Sequence, residues 1–261
     1  MIKKIRNIAF IALLIFSSSQ MVQGQVLLSL IFGDKLNSGK VEFGLSAGYN
    51  RSYIRGISES TGQSNWELGF YFDIHLKEKS PWFASTGVYI KSTVGGTNIP
   101  LDYPGNRQIN DSVYHGFVVA KGSVDKKFNT FYVPLNLRYL TKSGIFVEAG
   151  AQVGLVFKTH DIYNADVNDY TLYYDAMEKV RANDLYKWFD GGVDGGIGYK
   201  SKGETGWKVG VWYYVGLTNI YRNDLNLDAA YNSSLYVLAT IPIGKKKAKK
   251  MRAEKAAAAG K

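Results

Sequence analysis

The chain has 261 residues, 19 tyrosines, 28 glycines and no cysteine, which excludes a disulfide scaffold and a cysteine-based zinc site. Its formal charge of +10 suggests a nucleic-acid partner, but the distribution removes that reading. Residues 1–24 carry +3 and residues 244–261 carry +7, so the body, 25–243, is neutral.

Residues 1–24 have the layout of a signal peptide. Lys3, Lys4 and Arg6 precede the apolar run Ile8 to Phe16, and Gly24 and Gln25 mark the expected cleavage point. Nine apolar residues are too few to cross a bilayer, which takes about 20. No other stretch approaches that length, so a membrane location requires a barrel. Residues 25–39 are expected to form a short periplasmic segment before it.

From residue 40 the apolar pattern has period two. Lys40–Asn50 puts Val41, Phe43, Leu45, Ala47 and Tyr49 on one face. Asn65–Leu76 does so with Trp66, Leu68, Phe70, Phe72, Ile74 and Leu76. Trp82–Thr93, Asn129–Leu140, Ile145–Lys158, Trp188–Lys200, Trp207–Leu217 and Ser233–Ile243 follow the same rule. Eight strands of mostly ten to fourteen residues suit tilted membrane strands, which take about 9–11, better than a soluble sheet.

Connections 77–81, 141–144 and 201–206 are short. Connections 51–64, 94–128, 159–187 and 218–232 are longer, and the two kinds alternate. That alternation is the habit of outer-membrane barrels, with short periplasmic turns and long external loops. Aromatic residues then sort by strand end. Tyr49, Trp66, Phe131, Phe157 and Phe189 fall at the loop end; Trp82, Tyr139, Tyr199 and Trp207 fall at the turn end. The expected fold is all-β: an eight-stranded antiparallel up-and-down transmembrane β-barrel over residues 40–243, with both termini periplasmic.

The polar faces carry Glu67, Asp73, Lys91, Arg138, Glu148, Lys158, Asp190, Asp194 and Lys208 beside bulky Tyr71, Tyr89, Tyr132 and Trp212. Large rings next to glycines predict a filled lumen without an open pore. Centring the turns near Lys79 and Ser143 sets Glu67 opposite Lys91 and Arg138 opposite Glu148. Buried charges need partners, so both pairs are expected to be internal struts.

Chemistry is sparse. His75, His115 and His160 are the only histidines, and no metal-ligand or nucleophile-elbow spacing accompanies them. No catalytic, cofactor or metal site is expected. Within the acidic stretch 159–187, Asn164, Asp166, Asn168 and Asp175 stand at four positions of a calcium loop. Asp169 occupies the place of its glycine, and a solvated acidic loop is the expected reading. The tail from 244 is rich in Lys and Ala and is expected to be a solvated periplasmic extension.

The first strand, Phe43-Gly44-Leu45-Ser46-Ala47-Gly48-Tyr49-Asn50, resembles the opening strand of the outer-membrane β-barrel domain abundant in Bacteroidota, a group that includes PorT-like proteins of the type IX secretion system. The resemblance implies a small OmpA/OmpX-like barrel in the outer membrane and carries over no catalytic residue. The chain departs from many such barrels in not ending on an aromatic residue. These readings leave a non-enzymatic envelope or surface-binding role first and an accessory subunit of a secretion complex second. A lipid-modifying enzyme using His115 or His160 comes third. Outer-membrane lipid and an envelope or secretion protein are the expected partners.

Overall fold

The computed structural model describes residues 40–77, 80–106, 118–168, 173–202 and 206–243. The expected signal peptide, segment 25–39, the basic tail and His115 lie outside them. Nine strands form among the described residues: β1 Val41–Arg55, β2 Thr61–His75, β3 Trp82–Pro100, β4 Val118–Leu140, β5 Ile145–Asn168, β6 Tyr173–Arg181, β7 Phe189–Lys200, β8 Lys208–Asn219 and β9 Tyr231–Pro242.

Eight of them close a ring. The order runs β1-β2-β3-β4-β5-β7-β8-β9, and β9 pairs back onto β1. Every pairing is antiparallel. Closure leaves no strand edge at the level of the ring, so ladders pair the backbone around the whole circumference where water is absent.

Alternation drives this arrangement. Trp66, Leu135, Phe157, Ile197, Leu217 and Ile241 are exposed on the outside, while Ser46, Asn50, Glu67, Asp73, Arg138 and Lys208 are buried inside. A sheet that is apolar outside and polar inside is stable only with lipid around it. Aromatic pairs border the apolar band. Tyr49 meets Trp66 edge-on at 6.2 Å and Trp188 meets Phe189 at 6.0 Å at the loop end. Trp82 meets Tyr139 at 5.0 Å and Tyr199 meets Trp207 at 5.9 Å at the turn end.

The long connections are shorter than their sequence suggested, because the strands run on. β1 reaches Arg55 and β2 begins at Thr61, so the expected 51–64 loop shrinks to a turn at 56–60, where Gly56 has φ +93°. The expected loop 159–187 is corrected most. Its first half extends β5, and its second half forms β6, which pairs with β5 over His160–Asn168 and stands outside the ring. Beyond the apolar band the outward face meets water. Strands there need no apolar stripe, and a hydropathy reading does not see them.

Register shifts interrupt several ladders near the loop end of the apolar band, and two of them are bulges on β3 and β5. Leu68 faces Lys91 while Gly69 faces Tyr89, so Ile90 is extra on β3. Asn129 faces Lys158 while Thr130 faces Val156, so Phe157 is extra on β5. Each bulge turns two consecutive residues outward: Ile90 and Lys91 on β3, and Phe157 and Lys158 on β5, all exposed.

Candidate functional site

The lumen fills in three layers. The first, toward the turn end, is ionic. Register brings Arg138 on β4 opposite Glu148 on β5, and the guanidinium Nε bonds the Glu148 carboxylate. Arg138 also reaches across β3 to Asp73 on β2, with Nη1 2.6 Å from Oδ2. Asp73 in turn accepts from Lys208 of β8 and from Ser85 Oγ at 3.0 Å. Glu42 holds Lys200 at 2.9 Å and Lys208 at 3.7 Å. The Trp212 indole N–H donates to Glu148, and Asn136 Nδ2 donates to Asp194 at 2.7 Å. The described cations of this layer thus each lie against carboxylates, as charges withdrawn from water require.

The second layer is aromatic. Tyr89 and Tyr132 stack at 4.5 Å, and Tyr236 stacks on Tyr132 at 5.6 Å. Phe146 lies 5.9 Å from Trp212. A β-carbon at Gly196 would collide with the Trp212 ring, so the bare backbone there makes room for the indole. The space left is a cavity of about 40 Å³ bordered by Tyr71, Arg138, Phe146 and Trp212, room for a water or two.

Glu67 belongs to this layer and corrects the sequence expectation. It is 3 % exposed and, among the described residues, has no lysine partner. Its carboxylate accepts from Tyr132 OH at 2.6 Å and from Asn50 Nδ2 and Ser92 Oγ, both at 2.7 Å. Lys91 is outside the barrel, because the extra residue at Ile90 shifts the phase of β3 and turns Ser92 inward instead. The sequence-expected pair Glu67–Lys91 is therefore absent, while Arg138 and Glu148 are in contact. Asp73 and Lys208 stand on polar faces in the sequence, but nothing in the sequence joins them. They come from strands far apart in the chain, which no hairpin register can bring together.

The third layer lies beyond the loop-end aromatics. Ile54, Ile57, Val94, Ile99, Val124 and Phe128 pack there with Tyr163, Tyr186 and Tyr221 into an apolar dome. Lys126 sits at its centre, fully buried. Its ammonium donates to Tyr186 OH at 2.7 Å and the Gly105 carbonyl at 2.9 Å, and lies 3.4 Å from Asp161. The rings of Tyr186, Tyr221 and Tyr103 surround it at 5.4, 5.9 and 6.0 Å. Burial pulls the Lys126 ammonium down to about 8, with the Asp161 charge opposing. Burial and the same carboxylate push the Tyr186 hydroxyl well above its usual range.

The histidines do not converge. The His75 ring lies tilted against Phe83, centroids 4.0 Å apart, at the turn end. His160 is at the loop end, where burial and the charges of Lys179, Lys158 and Arg181 hold its imidazole below the usual range. Among the described residues no three His, Asp or Glu side chains are grouped to hold a metal ion. The expected acidic loop is strand instead, and its four calcium-loop positions fall on a ladder: Asn164, Asp166 and Asn168 lie on β5, and Asp175 lies on β6 opposite Asp166. A ladder of paired strands does not wrap around an ion as a calcium loop does.

Residues 19–222 match the profile of a family described as outer membrane protein beta-barrel domain. A search of curated proteins finds no match. Among solved structures the chain is similar to Ail, the attachment invasion locus protein of Yersinia pestis. In complex with the heparin analogue sucrose octasulfate, Ail shows 9% identity over 78% of this chain and 99% of that one, with a TM-score of 0.38. Without that ligand the identity is 11%, with the same coverage and TM-score. Neisserial surface protein A shows 9% identity, 76% and 96% coverage and a TM-score of 0.36.

Proposed function

Since the chain belongs to the outer membrane protein beta-barrel domain family, we propose that it is a closed, non-enzymatic barrel that carries a rigid binding platform on the cell surface. The short turns and both termini face the periplasm, and the loop end faces outward. The finer reading, a relative of the Bacteroidota barrels that include PorT-like proteins, is supported by the resemblance of the opening strand, residues 43–50.

One observation carries this reading: the strands do not stop at the aromatic belt. β4 and β5 continue past Phe131 and Phe157 to Val118 and Asn168, gain β6 as a third strand, and are braced by the buried dome around Lys126. Ordered structure beyond the bilayer is costly in chain entropy and serves no purpose in anchoring. The interior supports the non-enzymatic part. Asp73, Glu148 and Glu67 are each engaged by several fixed donors, Asp190 accepts from Tyr214 and Asn232, and Asp194 accepts from Asn136.

The test replaces residues 161–180 by a short turn, which removes β6 and the outer part of β5. The shortened protein is expected to keep its barrel in the outer membrane while cells expressing it lose attachment to the surfaces that wild-type cells bind. Unchanged attachment, with the full chain co-purifying with a secretion complex, would overturn the platform reading in favour of an accessory subunit.

A further inference from the structure

The two bulges sit at the same level, on either side of β4. On β3, Lys91 lies between Tyr89, which faces Tyr132, and Ser92, which faces Thr130. On β5, Lys158 faces Asn129. Asn129 and Phe131 are therefore the outward residues between the two lysines. Strand spacing puts the backbones carrying Lys91 and Lys158 about 10 Å apart across β4. Lys127, the next outward residue of β4, faces Gly95 on one side and His160 on the other. That makes it a diagonal neighbour of Lys158, about 7–8 Å away. Lys91 and Lys158 are exposed and Lys127 is half-buried.

The three lysines thus share one outward patch that spans about four residues of β4, bordered below by Ile90, Phe131 and Phe157 at the edge of the apolar band. Among the described residues none of the three forms an ion pair. The interior cations Lys126, Arg138, Lys200 and Lys208 all do. Asp125, two residues further along β4, accepts instead from the backbone N–H of Asn98 at 3.3 Å. Asn129 at the centre is oriented as well. Its Oδ1 accepts from Thr93 Oγ1 at 3.0 Å, which leaves the Nδ2 donors for a ligand. Bulges re-aim side chains, and both of these aim a lysine beside an apolar residue at the bilayer boundary.

We propose that Lys91, Asn129, Lys158 and Lys127 form a binding site for the phosphate groups of a phosphorylated lipid in the outer leaflet. The acyl chains lie along Ile90, Phe131 and Phe157, and the phosphates meet the three ammonium groups and the Asn129 amide. The site would tie the barrel to its own leaflet and brace the root of the β4–β5 platform. This assignment rests on the loop end lying in the outer leaflet.

The test uses the purified full-length protein in neutral-detergent micelles, titrated with bis-phosphorylated lipid A and, separately, with the same lipid after removal of both phosphates. Wild type is expected to bind the phosphorylated form and to gain thermal stability from it, and to ignore the dephosphorylated form. A lysine near anionic headgroups contributes about 1 kcal/mol, or roughly fivefold in affinity. Lys158→Gln is then expected to weaken binding about fivefold, and the triple change Lys91→Gln, Lys127→Gln and Lys158→Gln about a hundredfold, by the same arithmetic.

A control triple, Lys77→Gln, Lys142→Gln and Lys202→Gln, removes the same charge from exposed positions at the turn end and is expected to bind as wild type does. Equal weakening by the two triples would overturn the site, as would binding of the dephosphorylated lipid. Full competition by inorganic phosphate at matched concentration would overturn the lipid source. Micelles give the ligand access to both ends of the barrel. Binding there with the loop end found in the periplasm of cells would refute the orientation and leave the site standing.

Discussion

Removing the positive centre of the ionic layer is the sharpest test of the interior. Arg138 is 6 % exposed and serves two carboxylates on different strands, Asp73 and Glu148. Arg138→Met strips Glu148 of its cation, leaving the Trp212 and Asn136 donors, while Asp73 keeps Lys208. Breaking a buried pair by deleting one partner typically costs about 3–5 kcal/mol. Because Asp73 retains a cation, the lower half of that range is expected. Arg138→Met with Glu148→Gln removes the orphaned charge as well, so the double change should cost less than the sum of the two single changes. Lys91→Met, by contrast, alters an exposed side chain and should stay within about 0.5 kcal/mol. The assay is reversible urea unfolding of refolded protein in neutral lipid vesicles, run as a double-mutant cycle. Strict additivity of Arg138 and Glu148, or a Lys91→Met loss as large as that of Arg138→Met, would refute the register and the bulge at Ile90.

Other outcomes follow from the same packing. Glu67→Gln should shift stability by less than about 1.5 kcal/mol in that urea assay, the size of one ordinary hydrogen bond, because its donors are neutral and the Tyr132 hydroxyl can turn to accept. Gly196→Val should lower the melting temperature by overpacking the Trp212 ring, a cost of about 1–3 kcal/mol. In planar bilayers the pure protein should show no steady porin-sized conductance, and reproducible large steps would contradict the filled lumen. The dome should respond to pH. Folded Lys126 releases its proton near 8, whereas the unfolded lysine holds it to 10.5, so stability should rise as pH increases through that window. The gain ends near 10, where unfolded tyrosines ionise while Tyr186 and Tyr221 are held protonated. Urea titrations at pH 8 and 9.5 should therefore show wild type gaining on Lys126→Met.

What was legible in the sequence was whatever the bilayer imposes. Where lipid meets the outer face, as along Phe131 to Tyr139 or Trp207 to Leu217, alternation marks each strand, and the short turns give the order of the ring. The outer part of β1 escapes a sequence reading because its outward residues, Arg51, Tyr53 and Arg55, face water and carry no apolar stripe; β6 escapes it because residues 173–181 show no period-two apolar pattern. Lys91 was misplaced because one extra residue reverses the phase of a strand, and nothing in the local pattern marks a bulge between Ile90 and Lys91. Adjacent-strand contacts such as Arg138 with Glu148 follow from turn register. The contact of Asp73 with Arg138 skips over β3, which no single hairpin register gives, and its contact with Lys208 follows only from closure of the barrel.

Orientation in the membrane is the premise of the platform reading, and the chain is suited to testing it because it has no native cysteine. Ser58 is exposed in the turn joining β1 to β2 at the loop end, and Lys142 is exposed in the turn joining β4 to β5 at the other. Each is replaced singly by cysteine, and intact cells are treated with a membrane-impermeant maleimide. The account predicts labelling of Ser58→Cys on intact cells and of Lys142→Cys only after the outer membrane is permeabilised. Labelling of Lys142→Cys on intact cells, with Ser58→Cys protected, would contradict it.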